Sequence, residues 1–242
     1  MKQFYNQFSH KSKQNSSIKG VVIVDNSFGG VALFAKLRAL PIKLVYLNVC
    51  NALGNLEANT FVKSAIDRLG EQSQFCVVLP TRCANFTMLT SAVSPATLIC
   101  AQPPIFQARQ YSATQAAVLS STNVSYDGCV TVDGSKLASM IACCATEREI
   151  RAEMERCLQW AEGCDAVAFD DCVFSTQKHN FWSVAPNVKF FDCTDSVASM
   201  FFKSKKLRQS GALPSEQVDF CDKSGKTEKI FDKILQKIYK PY

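Results

Sequence analysis

The chain has 242 residues, 47% of them hydrophobic and 20% charged, which suffices for one large or two small globular domains. The net charge of +6 is mild and no basic patch is interleaved with aromatic residues, which argues against nucleic-acid binding. No apolar run approaches the roughly 18 residues of a membrane span. Residues 1–18 are polar and lack the apolar stretch of a signal peptide, so we expect a disordered leader on a cytoplasmic protein.

Short apolar runs alternate with helix-like segments along the chain, which is typical of parallel strands joined by crossover helices. Their near-continuous apolarity predicts sheets that helices cover on both faces. The expected strands are, in chain order, 21–24, 43–47, 75–79, 97–100, 116–119, 130–132, 166–169 and 188–191, with a short strand-like segment at 218–221.

Two helices are predicted from specific signals. Thr146 and Glu149 have the spacing of a capping box, and Gly163 is placed to end the helix that follows. The apolar stripe of that helix is Ile150, Met154, Cys157, Leu158 and Ala161. The terminal helix has a second stripe, Ile230, Phe231, Ile234, Leu235 and Ile238. Both stripes are expected to face the core.

The pattern divides the chain into two lobes. Ser94-Pro95 marks a boundary, and residues 209–214 have the composition of a linker. We therefore predict a first α/β lobe of residues 19–94 plus 209–242, and a second of residues 95–208. The C-terminal segment is expected to return to the first lobe.

Cysteine usage bears on the cellular compartment and on metal binding. Twelve cysteines occur without CxxC spacing, and the only histidines are His10 and His179, so we expect no zinc site. Cys76 and Cys100 lie within apolar strand segments, where a free cysteine behaves as a small hydrophobic residue. Without a secretion signal, this set indicates a reducing cytoplasm rather than a disulfide framework.

Several loops after the strands carry recognisable segments. They are Val24-Asp25-Asn26-Ser27-Phe28-Gly29-Gly30, Ala52-Leu53-Gly54-Asn55, Ser120-Ser121-Thr122-Asn123-Val124 and Phe191-Asp192-Cys193-Thr194. In order and spacing these segments resemble the aspartate/glutamate racemase superfamily, and most closely glutamate racemase. The resemblance extends from about residue 19 to residue 239.

The resemblance implies an α/β fold of two pseudo-symmetric lobes, each a mostly parallel sheet flanked by helices, with the active-site cleft between them. It implies cofactor-independent inversion of an amino acid at Cα, here interconversion of L- and D-glutamate for peptidoglycan synthesis. Two cysteines act from opposite faces of the substrate, one taking the α-proton as thiolate and the other returning a proton. The implied partner is a small amino acid, with no nucleic acid or membrane. Because relatives often pair, a homodimer is an option.

Both cysteine motifs of that family are altered in this chain. Pro80 aligns with the first cysteine, and Cys83 lies three residues further on. Asp171 or Cys172 aligns with the second, depending on a one-residue shift, and the neighbouring histidine is absent. Because a proline cannot abstract a proton, two-base racemisation requires the loop to bring Cys83 inward.

The residues that match functional positions are therefore few. The candidate catalytic residues are Cys172, Cys83 and Asp25, of which Asp25 matches the acidic residue that supports the first cysteine. The candidate substrate-binding residues are Asn26, Gly54, Asn55, Thr81 and Arg82.

Plainer interpretations exist for these residues. Asp25 can cap the following helix, both cysteines can be packing residues, and Arg82 can lie on the surface instead of clamping a carboxylate. Asp170 and Asp171 can form a solvated loop, or can make the site too negative for an acidic substrate.

Three functions stay open from the sequence. The first is an active racemase. The second is a catalytically inactive racemase homologue that binds an amino acid or a protein partner. The third is a lyase or isomerase acting on another carboxylate with a single cysteine, either Cys172 or Cys83.

Overall fold

The computed structural model of the protein describes residues 19–49, 56–69, 75–79, 97–122, 124–203 and 214–239. Its strands are β1 (Gly20–Asp25), β2 (Lys43–Asn48), β3 (Phe75–Leu79), β4 (Thr97–Cys100), β5 (Ala116–Ser120), β6 (Val130–Asp133), β7 (Ala166–Phe169), β8 (Lys189–Phe191) and β9 (Ser215–Phe220). Its helices are α1 (Gly30–Leu37), α2 (Leu56–Asp67), α3 (Ile105–Tyr111), α4 (Ser135–Ala142), α5 (Glu147–Gln159), α6 (Lys178–Val184), α7 (Cys193–Lys203) and α8 (Lys226–Tyr239). A 3₁₀ helix, Cys172–Gln177, precedes α6.

The strands form two parallel sheets. The first has the order β4-β3-β1-β2-β9 and the second the order β6-β5-β7-β8. Every described strand pair is parallel, so the carboxyl ends of each sheet lie along one edge. The predicted α/β class with two mostly parallel sheets flanked by helices is confirmed.

Strand β4 belongs to the first sheet, whereas the sequence predicted it in the second lobe. The boundary at 94–95 assigned residues 97–100 to the second lobe, but β4 pairs with β3 at the edge of the first sheet, with Cys76 opposite Thr97. The signal at Ser94-Pro95 is local, whereas the partner of a strand is chosen by packing across the sheet. The remaining limits of the two lobes stay a prediction, and residues 1–18 lie outside the described residues.

Both predicted helices, α5 and α8, are present, but α5 ends earlier than the sequence predicted. Thr146 Oγ1 accepts from Glu149 N at 3.3 Å, and Glu149 Oε2 accepts from Thr146 N at 3.0 Å, which is a capping box. Helix α5 ends at Gln159, and Gly163 adopts a φ of +82° in the turn beyond it rather than ending the helix. In α8, Phe231 and Ile234 are buried, as the stripe predicts.

One of the hydrophobic cores contains residues of both lobes. It contains Ile23 of β1, Leu33 of α1 and Phe231 of α8, all near the first sheet. The same core includes Cys172 from the 3₁₀ helix and Phe201 from α7. A second core lies wholly in the second lobe, around the ring contacts of Phe169, Phe174, Phe181 and Phe190.

In the part of the chain that the structure describes, no helix is long and apolar enough to cross a membrane. No group of three or more histidine, cysteine or acidic side chains there is placed to hold a metal ion. None of the ten cysteines in these ranges forms a disulfide bond.

Candidate functional site

The loop after β1 and the segment after β7 bring the carboxyl edges of the two sheets together. A Cβ atom added to Gly29 would lie 2.1 Å from the Sγ of Cys172 and 2.5 Å from the backbone nitrogen of Val173. Atoms that are not bonded to each other do not come so close. Only glycine, which has no Cβ atom, therefore allows the β1 loop to lie this near to Cys172 and Val173. The polar residues at both edges therefore surround one region, the interlobe edge, defined by residues 25–29, Asn48, 120–122 and 170–171.

Asp25 holds the β1 loop in place. Its carboxylate is fully buried and accepts hydrogen bonds from the backbone nitrogens of Ser27 (3.0 Å) and Gly30 (2.7 Å) and from the Tyr46 hydroxyl (2.8 Å). Burial raises the pKa of Asp25, and these hydrogen bonds act in the opposite direction. Because protein donors occupy both oxygens, the structure supports the plainer role of Asp25, which is to fix the loop and the first turn of α1.

Two further residues of β2 complete that network and were not identified from the sequence. Asn48 Nδ2 donates to the Ser27 carbonyl oxygen at 2.5 Å and to the Tyr46 hydroxyl oxygen at 3.2 Å. Tyr46 is fully buried, and burial together with Asp25 raises its pKa well above the ordinary value. Its position inside an apolar strand gives no sign of this role, because a tyrosine there also fits simple packing.

Asp170 has a corresponding role in the second sheet. It is buried and accepts hydrogen bonds from the backbone nitrogen of Ser121 (2.8 Å), the Ser120 hydroxyl (2.5 Å) and the Tyr126 hydroxyl (3.1 Å). These bonds tie the end of β5 to the end of β7. Asp170 is therefore a structural residue rather than part of a solvated loop.

Asp171 differs because it is only half-buried at the interlobe edge. Its Oδ1 accepts from the backbone nitrogen of Val173 at 2.8 Å, which caps the 3₁₀ helix, and its Oδ2 accepts from the Ser121 hydroxyl at 3.1 Å. Burial raises the pKa of Asp171 to about 6, and the negative charges of Asp25 and Asp170 act in the same direction. This carboxyl group therefore titrates close to neutral pH.

Cys172, the neighbour of Asp171, points into the core. It is fully buried, and its thiol hydrogen-bonds to that of Cys193. Burial, the bond to Cys193 and the charge of Asp171 all raise the pKa of the Cys172 thiol well above its ordinary value. A thiolate is the reactive form of cysteine, so Cys172 is poorly suited to take a proton from a substrate. Of the two residues that align with the second cysteine, Asp171 is the one at the interlobe edge.

The other candidate residues are only partly located. Asn26 is half-buried in the β1 loop next to Asp25. The remaining candidates lie outside the described residues and stay predictions: Gly54, Asn55, Thr81, Arg82 and Cys83.

A cluster of ion pairs lies where α1 meets the end of β8. Lys36 Nζ of α1 lies 3.5 Å from Asp192 Oδ1 and 2.6 Å from Asp195 Oδ1, and Lys178 Nζ lies 2.5 Å from Asp192 Oδ2. Burial opposes ionisation of Asp192, but Lys36 and Lys178 outweigh it and hold its pKa well below the usual range. Since α1 covers the first sheet and Asp192 follows the second, this cluster joins the two lobes.

No protein-family model and no curated protein matches the sequence. Solved structures do resemble the fold. Glutamate racemase from Francisella tularensis in complex with D-glutamate is 12% identical, with a TM-score of 0.63 over 91% of this chain and 94% of that one. The Escherichia coli enzyme, in complex with L-glutamate and the activator UDP-MurNAc-ala, is 14% identical, with a TM-score of 0.62 over 90% and 94%. The Campylobacter jejuni enzyme is 11% identical, with a TM-score of 0.63 over 90% and 98%. These similarities establish that the chain has the two-lobe fold of glutamate racemase structures.

Proposed function

We propose that this chain binds a small amino acid at the interlobe edge and does not racemise it with a pair of thiols. The observation that carries the proposal is the position of Cys172, whose thiol is buried against Gly29 and Cys193 and has a raised pKa. A two-thiol mechanism requires a sulfur atom facing the substrate on each side, one as the thiolate that takes the proton and the other as the thiol that returns one. The proposal is therefore the binding alternative, an inactive homologue on a racemase fold.

Support for the ligand class comes from two sources. Structures with this fold hold D-glutamate or L-glutamate, which are small amino acids. At the interlobe edge of this chain, the half-buried Asp171 carboxylate complements the ammonium group of an amino acid. The proposed partners for the ligand carboxylate are Asn26 and two residues that follow β3 in the sequence, Thr81 and Arg82.

The test is ligand-observed saturation-transfer NMR on the full chain, with L- and D-glutamate and L- and D-aspartate as probes. We expect at least one of the four to bind, and chiral chromatography to detect no inversion. A Cys172→Ala variant serves as the control, with its folding verified by circular dichroism. It should bind the same amino acid as the parent.

Two results would contradict the proposal. If none of the four amino acids binds to the folded parent, the chain is not a binding protein for this ligand class. If the parent inverts an amino acid and Cys172→Ala does not, then the Cys172 thiol reaches the substrate and the racemase function is restored.

A further inference from the structure

We propose that the Asp127-Gly128 pair is a modification site, at which Asp127 converts spontaneously into isoaspartate, while the fold protects the other Asp-Gly pair of the chain, Asp133-Gly134. The inference goes beyond the proposed function, because it does not depend on an amino acid bound at the interlobe edge. It assigns to the chain a covalent change that needs only water.

Isoaspartate forms when a backbone nitrogen attacks the side chain of the aspartate before it. Here the Gly128 nitrogen bonds to Cγ of Asp127, and the amide proton leaves with the carboxyl hydroxyl group as water. Water then opens the five-membered ring at one of its two carbonyl carbons. Attack at Cγ restores aspartate, whereas attack at the main-chain carbon leaves the chain running through Cβ and Cγ, with a free α-carboxylate. Overall no atom is gained or lost, and nothing is oxidised or reduced.

The reacting groups of the first pair lie in an exposed turn between β5 and β6. The backbone nitrogen of Cys129 closes this turn by donating to the Tyr126 carbonyl oxygen at 3.2 Å, and Gly128 has a φ of +71°. Within the described ranges, neither the Gly128 nitrogen nor the Asp127 carboxyl group has a hydrogen-bond partner. The two groups can therefore approach each other without breaking a hydrogen bond of either one.

Arg109 of α3 lies against this turn and favours the reaction. Its Nη1 donates to the Asp127 carbonyl oxygen at 3.4 Å, and its Nη2 lies 3.0 Å from the position that a Cβ atom on Gly128 would take. That carbonyl oxygen belongs to the same peptide group as the attacking nitrogen. A cation beside the oxygen stabilises the negative charge that develops on the peptide group as its N–H proton leaves.

The second pair has the same sequence, but hydrogen bonds hold both of its reacting groups. The Gly134 nitrogen donates to the Ser120 carbonyl oxygen at 2.7 Å, and Asp133 Oδ1 accepts from the backbone nitrogen of Ser135 at 2.9 Å. The Ser135 donors also hold the pKa of Asp133 below its usual range, which disfavours the protonated carboxyl group that must lose water. Ring closure at Asp133 therefore requires that the end of β6 opens locally first.

The modified turn is connected to the candidate site through Tyr126. The Tyr126 hydroxyl donates to Asp170 Oδ2 at 3.1 Å, and its backbone nitrogen donates to Thr131 Oγ1 at 3.2 Å. Isoaspartate adds one carbon atom to the main chain directly after Tyr126 and places a free carboxylate near Arg109. The modification therefore changes the main chain that positions a side chain at the end of β7.

The test is to incubate the folded full chain for several weeks at mildly acidic pH and to locate isoaspartate by peptide mass spectrometry with electron-transfer fragmentation. Since the mass does not change, labelling by an isoaspartyl methyltransferase identifies the modified peptides. We expect at least about tenfold more isoaspartate at residue 127 than at residue 133. In the chain unfolded with guanidinium, the two positions should react at similar rates, because the bonds that protect Asp133-Gly134 are absent.

Two variants test the chemistry of the site, with circular dichroism to verify folding. Asp127→Glu should give no signal at residue 127, because attack on the longer side chain closes a six-membered ring much more slowly. Arg109→Gln, which removes the charge, should lower the rate at residue 127 several-fold. In both variants residue 133 is the internal control and should react as in the parent.

Two results would overturn the proposal. They are equal modification of residues 127 and 133 in the folded parent, and absence of isoaspartate at residue 127. A parental or higher rate in folded Arg109→Gln would overturn the contribution of Arg109. Amino-acid binding is measured separately, so failure of this proposal and failure of the proposed function are distinguishable.

Discussion

Asp25 and Asp192 are buried to nearly the same extent, yet their pKa values shift in opposite directions. Asp25 is 0% exposed and is surrounded by neutral donors, and burial raises its pKa. Asp192 is 2% exposed and lies between Lys36 and Lys178, which hold its pKa well below the usual range. Burial alone therefore does not decide the charge of a carboxyl group in this molecule; a neighbouring cation does.

The difference has a consequence for stability. A depressed pKa means that the folded state favours the ionised Asp192, so its contribution is present above pH 4 and is lost as the pH falls towards its folded pKa. A raised pKa has the opposite sign. For Asp171 the folded state binds the proton more tightly, so stability decreases as the pH rises from about 4 to about 6. The interlobe edge is thus costly at neutral pH, as functional sites often are.

Asp192→Asn should give the largest effect, because it removes the charge shared by two lysines. We expect the free energy of unfolding at pH 7 to fall by about 3 kcal/mol, measured by urea denaturation. The matched control is Asp195→Asn in the same cluster, whose side chain is 53% exposed, so it should cost less than about 1 kcal/mol. Equal losses in the two variants would mean that burial of the ion pair is unimportant.

Tyr46→Phe should have an intermediate effect, because it removes one of the hydrogen bonds that replace a cation around Asp25. We expect the free energy of unfolding to fall by about 2 kcal/mol at pH 7, since the change removes a donor from a fully buried carboxyl group. The ring contacts with Phe34 and Phe231 stay in place, so the change isolates the hydroxyl group. The loss should become smaller at acidic pH, where Asp25 is protonated. A loss independent of pH would contradict this explanation.

Asp171→Asn should have the smallest effect and the opposite sign. The amide keeps an oxygen that can cap the 3₁₀ helix but removes the charge that Asp25 and Asp170 oppose. We expect the free energy of unfolding to rise by about 1 kcal/mol at pH 7, after allowance for solvent screening. At pH 4 the variant and the parent should be equally stable. Thermal unfolding at the two pH values measures it. A destabilised variant at pH 7 would show that Asp171 is a structural residue like Asp170.

The central strands were predictable because they are short apolar runs buried on both faces, as β1, β2 and β5 show. The partner of β4 was not predictable, because nothing in residues 97–100 indicates which sheet they join. The start of β9 was also missed, since Ser215–Gln217 is polar and only half-buried or exposed at the sheet edge.

The residues of the candidate site could likewise be predicted only in part from the sequence. Asp25 was identifiable because the segment Asp25-Asn26-Ser27-Phe28-Gly29-Gly30 resembles a known loop motif and also fits a helix cap. The choice between Asp171 and Cys172 could not be predicted, because a shift of one residue in the alignment exchanges the half-buried position for the fully buried one. That choice is decided by the close approach of Gly29, which lies more than a hundred positions away in the chain. A local sequence motif does not indicate contacts between residues that are this far apart in the chain.

The core that includes Ile23, Cys172 and Phe201 has a consequence for the way the protein unfolds. Two lobes with separate cores would melt independently, each with its own transition. Here the 3₁₀ helix and α7 of the second lobe complete the core of the first, so opening either lobe exposes apolar surface in both. The described parts of the two lobes should therefore form one cooperative unit, with a single calorimetric peak and the slowest amide exchange in β1.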